Sequence, residues 1–154
     1  EMYKNKIKIL IIRPSNLYGP HDKFDPELSK VIPSLIYKFD KFKKVEIWGT
    51  GKDIKDFLFI DDFINILLKL KNKTKNFNVV NVASGKQVTI LDLMNIKRSY
   101  YPNKKLIFLK NKPKMIPIRK VDTSKLKKII KYNFKFDITK ELKKTINWYR
   151  TNEK

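Results

Sequence analysis

The sequence predicts an α/β fold, and three observations carry that prediction. Short apolar runs such as "IKILII" and "FNVVNV" alternate with stretches whose apolar residues recur every three to four positions. Clusters of Gly, Pro, Asn and Asp separate them, as turns require. The chain has 154 residues, 42% of them hydrophobic and 12% aromatic, which allows one packed core and leaves little room for two. The alternation is irregular and its loops are long, so it lacks the even period of a complete doubly wound sheet. No internal repeat, low-complexity linker or domain boundary breaks the chain.

Residues 7–12 read as a first strand, and a run this short and apolar is expected to be buried on both faces. Residues 14–26, with three prolines, a glycine and His21, read as a long loop. Val31, Ile32, Leu35, Ile36 and Phe39 then recur at helical spacing, with Pro33 tolerable only in the first turn. Residues 45–48 read as a strand ending in the turn "GTGKD", and residues 57–60 as another short strand. Asp61 or Asp62 is expected to cap a helix that carries Phe63, Ile66, Leu67 and Leu70 on one face. Residues 77–82 are a strand. Thr89 and Asp92 have the spacing of a capping box for a helix over 90–100. Residues 106–109 form the last strand. Asp122 or Thr123 caps a short helix with Leu126, Ile129 and Ile130 inward, and Asp137 opens a final helix through Leu142, Ile146 and Tyr149.

The formal net charge is +21, a field that attracts polyanions. The 36 basic residues are 32 Lys and 4 Arg, beside 20 Ile, 13 Asn and a single Ala. Those are the residues of an A/T-rich coding sequence. A surface selected to read phosphates and bases would use more Arg, whose planar fork binds them bidentately. Specific nucleic-acid binding is therefore not the favoured reading. Cysteine is absent, which excludes disulfides, thiolate metal sites and a cysteine nucleophile, and a lone His21 argues against zinc. With no membrane-length apolar run and no signal-peptide pattern, the expectation is a soluble cytoplasmic domain. The chain opens on Glu1 and goes straight into a strand that needs neighbours, so its beginning is expected to lie elsewhere.

Several motifs are set aside. The four glycines do not form G-x-G-x-x-G, and "GTGKD" lacks both the first glycine and the Ser or Thr of a phosphate loop. Tyr-x-x-x-Lys occurs at Tyr37/Lys41, Tyr100/Lys104 and Tyr101/Lys105, as chance allows in a chain this rich in lysine. "IDD" reads as a helix start, where carboxylates meet the positive end of the dipole.

Five blocks appear in a telling order: "RPSNLYGPHDKFDPELSKVIPSLI", "VEIWGTGKDIKDFLFIDDF", "FNVVNVASGKQVTILDL", "RKVDTSKLKKI" and "LKKTINWYR". Together they resemble the extended short-chain dehydrogenase/reductase (SDR) family of NAD(P)-dependent nucleotide-sugar epimerases, dehydratases and reductases, most nearly its GDP-L-fucose synthase branch. The resemblance runs from about Ile7 to Arg150. It implies the C-terminal part of an extended Rossmann-like fold, a substrate-binding region of short strands and helices over residues 1–154. The N-terminal Rossmann half, with the Gly-rich loop and the catalytic Tyr and Lys, is absent from this stretch, so the chain alone is expected to be inactive. The implied partners are a nucleotide diphosphate-sugar and that Rossmann half; a homodimer is compatible with the sequence, a membrane is not expected.

The resemblance also implies roles. Pro14, Ser15, Asn16 and Leu17 would lie along the nicotinamide end of NAD or NADP. Lys30 stands where the family has a histidine thought to act as an acid, and an amine can take that role only with a lowered pKa. Lys38, two helical turns on, matches a basic substrate-binding position and would face the same cleft. Trp48 matches a substrate-contacting tryptophan, with core packing as the alternative. Lys55 replaces an arginine that reaches the diphosphate, keeping charge but losing the fork. Arg119 matches a second basic substrate-binding position near the phosphates, and Lys114 replaces a residue that is commonly acidic. Two other readings stay open: a basic nucleic-acid-binding module, and a non-catalytic remnant or partner subunit.

Overall fold

The computed structural model describes residues 7–25, 27–73, 77–112, 116–135 and 137–153. Eight strands and five helices follow one another: β1 (Ile9–Pro14), β2 (Asn16–Tyr18), α1 (Val31–Lys41), β3 (Lys44–Trp48), β4 (Ile54–Lys55), β5 (Phe57–Phe59), α2 (Ile60–Lys73), β6 (Phe77–Val82), β7 (Val88–Thr89), α3 (Ile90–Arg98), β8 (Lys105–Leu109), α4 (Ser124–Ile129) and α5 (Ile138–Asn152). The strands pair two by two. β1 lies parallel to β6, β2 to β5 and β3 to β8, while β4 and β7 are antiparallel. Parallel pairs need crossovers, and helices supply them.

Side chains divide into two cores. One gathers Tyr18, Ile36, Phe39, Phe57, Phe59, Leu93, Met94, Leu142 and Ile146 between α1, α3 and α5. The other gathers Leu58, Ile66, Leu70, Val80, Val82 and Leu126 between α2, α4 and β6. The β2–β5 pair separates them. Successive residues of a strand point to opposite faces, so Phe57 and Phe59 enter the first core and Leu58 the second.

That arrangement corrects the first expectation. Within this chain the strand buried on both faces is β5, and the opening run keeps one face exposed. In β1, Leu10 and Ile12 pack on the second core while Ile9 and Ile11 stay 43% and 41% exposed. β1 also begins two residues later than expected and runs on to Pro14, and the expected long loop contains β2. β2 went unread because three residues give no period; it exists through its pairing with β5, Asn16 opposite Phe57. β4 and β7, two residues each, went unread for the same reason.

The helices follow their patterns closely. Pro33 sits in the first turn of α1, where its missing N–H costs nothing. α2 starts at Ile60, so Asp61 and Asp62 occupy its first turn instead of capping it. Either way they meet the positive end of the dipole. In α2 only Ile66 and Leu70 of the expected face are buried, and Leu67 is partly open. α3 ends at Arg98, and Ile130 lies just past α4. Thr123 makes no capping bond; Asp122 takes the Ser124 N–H at 2.8 Å instead. Asp137 caps α5 by accepting from the Lys140 N–H at 3.1 Å.

The capping box of α3 is complete. Thr89 Oγ1 accepts from the Asp92 N–H at 3.0 Å, and Asp92 Oδ2 accepts from the Thr89 N–H at 2.9 Å. Thr89→Ala removes one half of it and is expected to lower stability by about 1 kcal/mol, read from the denaturant midpoint at unchanged slope.

One residue contradicts ordinary patterning. Lys97 of α3 is fully buried, and its side-chain nitrogen donates to the Ile32 carbonyl of α1 at 2.9 Å.

Candidate functional site

Two adjoining hollows open beside β3 and β4. The larger is a cleft of about 330 Å³ whose lining includes Ser29, Lys30, Ser34, Lys38, Glu46, Trp48, Asp53 and Lys55. This is within the range of a small-molecule site. The smaller, about 140 Å³, is lined by Pro14, Ser15, Asn16, Asp56, Arg119 and Val121. Lys55 and Asp56 are consecutive and face one hollow each. The segment that carries Arg119 closes the far side, with its N–H donating to the Ile54 carbonyl at 3.2 Å.

The elements explain the placement. α1 buries Ile32, Ile36 and Phe39, so the opposite face brings Ser34 and Lys38 to the cleft. Leu35, expected in the core, packs there and also forms part of the cleft wall. Lys30 stands at the N-cap of α1 and makes no capping bond. A cation at the positive end of a helix is unfavourable on its own, so local stability does not account for it. Its charge does face Asp22. Burial pushes the Asp22 carboxyl above its ordinary pKa, with the Lys23 N–H and the Lys30 charge pulling the other way.

β3 alternates exposed Lys44, Glu46 and Trp48 with buried Val45 and Ile47. Trp48 is therefore at the carboxyl end of a strand and points away from the core, 51% exposed, with the Lys112 amine 5.6 Å from its ring centroid. Trp48 therefore takes no part in the cores of this chain. Lys55 is only 7% exposed, and its amine donates to the Ile116 carbonyl at 3.2 Å. The turn "GTGKD" uses Gly49 and Gly51 at φ +74° and +73°, a backbone that only glycine adopts freely.

Of the residues singled out in the sequence, Lys30, Lys38, Trp48 and Lys55 meet around the cleft, and Pro14, Ser15, Asn16 and Arg119 around the smaller hollow. Leu17 joins neither. The pleat that turns Asn16 and Tyr18 to one side sends Leu17 to the other, against the second core. Lys114 lies outside the described residues. Among the described residues no cluster has metal-ligand composition, and no helix is long and apolar enough to cross a membrane.

Sequence reasoning missed Ser29, Ser34, Glu46, Asp53 and Asp56. Only Asp56 carried a signal. An acid directly before the apolar run "FLF" must be buried with it, and a buried carboxylate needs donors.

Comparison with known proteins adds the following. Residues 2–83 match the model of the NAD dependent epimerase/dehydratase family. A probable GDP-L-fucose synthase 1 from Oryza sativa subsp. japonica is 34% identical over 145 residues, 90% of this chain and 44% of that protein. A dTDP-4-dehydro-6-deoxy-D-allose reductase from a Streptomyces species is 31% identical over 147 residues, 95% of this chain and 44% of that protein. The chain thus spans less than half the length of these relatives. The solved UDP-N-acetylglucosamine 4-epimerase from Methanobrevibacter ruminantium M1, in complex with UDP-N-acetylmuramic acid, superposes with a TM-score of 0.84 at 23% identity, over 97% of this chain and 49% of that one. The fold is therefore shared, α/β and Rossmann-related.

Proposed function

Because the chain belongs to the NAD dependent epimerase/dehydratase family, we propose that it is the C-terminal, substrate-binding portion of an NAD(P)-dependent nucleotide-sugar epimerase, dehydratase or reductase. The observation that carries this is the convergence of Lys30, Lys38, Trp48 and Lys55 on one cleft. Three amines and an exposed indole suit a molecule with a diphosphate at its middle and a flat base at one end. Lys38 and Lys55 neutralise the diphosphate, and Trp48 offers a ring face. Lys30, the cation nearest the start of α1, reaches toward the sugar.

The smaller hollow, walled by Pro14, Ser15, Asn16 and Arg119, would receive the nicotinamide end of the cofactor. Pro14 supplies a rigid surface without an N–H, and Asn16 is pinned by donating its amide to the Asp56 carbonyl at 2.8 Å. When bound, the cofactor exchanges hydride with a sugar carbon. This chain orients the sugar for that exchange.

The rest of such an enzyme needs a docking surface, and one is available. Among the described residues β1 pairs with β6 alone, with Ile9 and Ile11 exposed, and α2 beside it exposes Ile64, Leu67 and Leu68. A Rossmann half extending the sheet past β1 would cover this apolar surface.

The cleft is tested by Lys55→Ala in the holoenzyme, this chain together with its Rossmann half. Losing one charge-assisted bond is expected to weaken nucleotide-sugar binding about tenfold or more and NAD(P)H binding less than threefold. Isothermal titration with each ligand measures both. Unchanged nucleotide-sugar affinity would remove the diphosphate from the cleft.

A further inference from the structure

A buried carboxylate joins the ends of four chain segments at the boundary between the hollows. Asp56, 5% exposed, lies between β4 and β5. Its Oδ1 accepts from Ser15 Oγ at 2.8 Å and from the Ser84 N–H at 3.0 Å. Its Oδ2 accepts from the Gly85 N–H at 2.7 Å. Its carbonyl accepts both the Asn16 side-chain amide at 2.8 Å and the Asn16 N–H at 3.4 Å. The Ser15 N–H in turn donates to the Val82 carbonyl at 2.8 Å, closing a ring of bonds around the end of the β1–β6 pair.

Among the described residues the three hydrogen-bond donors to this carboxylate are all neutral. An ionised group is costly to bury, and a network of this kind has one clear consequence: it fixes geometry. What it fixes is the turn after β1, which is the wall of the smaller hollow. Lys55, the residue preceding Asp56, faces the cleft, so one rigid dipeptide step sets the spacing of the two hollows.

We propose that Asp56 is a positioning residue that holds Ser15 and Asn16 in place to receive the cofactor's nicotinamide end and keeps that wall in register with the Lys55 side of the cleft. The ligand identities rest on the function proposed above; the bracing of the wall does not. Asp56→Asn keeps the shape but turns an N–H toward donors that have nothing else to bond.

In the holoenzyme, NADH and NADPH titrations followed by nicotinamide fluorescence are expected to show affinity for Asp56→Asn lowered about tenfold, with GDP, UDP and dTDP affinities changed less than threefold. Amide hydrogen exchange at Ser84 and Gly85 is expected to quicken about tenfold while α5 keeps its protection. Ser15→Ala, which removes one bond of the three, is expected to lower cofactor affinity about two- to fivefold at an unchanged melting temperature, and it decides the matter if Asp56→Asn does not fold. Parent-like cofactor binding by both variants, or equal loss of cofactor and nucleotide with Ser84 and Gly85 still protected, would overturn the proposal. A parent protein that binds neither ligand sinks the proposed function instead, and the exchange rates of Ser84 and Gly85 then decide the bracing on their own.

Discussion

Lys97→Met is expected to stabilise the protein by about 2 kcal/mol at neutral pH, which raises the melting temperature by about 4–8 °C. Lys97 is fully buried between α3 and α1, and among the described residues its side chain makes one hydrogen bond, to the Ile32 carbonyl at 2.9 Å. That carbonyl already serves the α1 helix, so losing the amine orphans little. Burial holds the amine well below the ordinary lysine pKa, 10.5. The sign of the pH dependence follows. Below 10.5 the unfolded chain gains a proton at this lysine that the folded chain refuses until the pH reaches the lowered value. Within that window the unfolded state binds more protons, so stability falls as pH falls, by up to about 1.4 kcal/mol per pH unit. Methionine fills similar volume and carries no proton. Its advantage should therefore be largest at the acid end of the window and vanish as pH approaches 10.5. Denaturant unfolding of both proteins from pH 6 to pH 10 checks this, because the slope of their difference cancels every other titrating group. A methionine variant that is weaker at all pH values would mean that the buried amine contributes net stability. The same contact places α1, whose other face carries Ser34 and Lys38 into the cleft.

Gly19→Ala is expected to cost about 3 kcal/mol. Gly19 follows β2 at φ +154°, and a Cβ there would collide with Ile60 Cγ2 and stand 3.2 Å from Ile60 Cβ. Isoleucine is stiff at χ1, and Ile60 opens α2, so it has little room to yield. Overpacking and backbone strain each contribute about 1–3 kcal/mol. Gly49→Ala separates the two effects. Gly49 sits at φ +74° with nothing within 4 Å of an added Cβ, so it carries the strain alone and should cost about 1 kcal/mol. Equal losses for the two alanines, read from denaturant midpoints, would show that contact with Ile60 is not the cause.

The helices were legible because each repeats its own instruction: an apolar stripe at 3.6-residue spacing, reinforced at Thr89 and Asp137 by a cap. The position of Lys38 on α1, and of Lys30 at its N-cap, followed from the same periodicity. β2, β4 and β7 were not legible, since two or three residues hold no period and depend on a partner far along the chain. The docking role proposed for β1 also depends on surfaces beyond local pattern, because its exposed Ile9 and Ile11 look no different in sequence from buried ones.

The sequence by itself determined which stretches are helix, which longer runs are strand, and that Lys30 and Lys38 would face one side, opposite the core face of α1. These are local properties, decided by side-chain periodicity and turn chemistry. Only the tertiary structure decided that Leu17 faces away from Asn16's hollow, that within this chain β5 and not β1 is buried on both faces, that Lys97 is buried, and that Asp56 joins Ser15, Ser84 and Gly85. Each of these depends on a contact between residues distant in the chain, and no window of neighbouring residues contains that information.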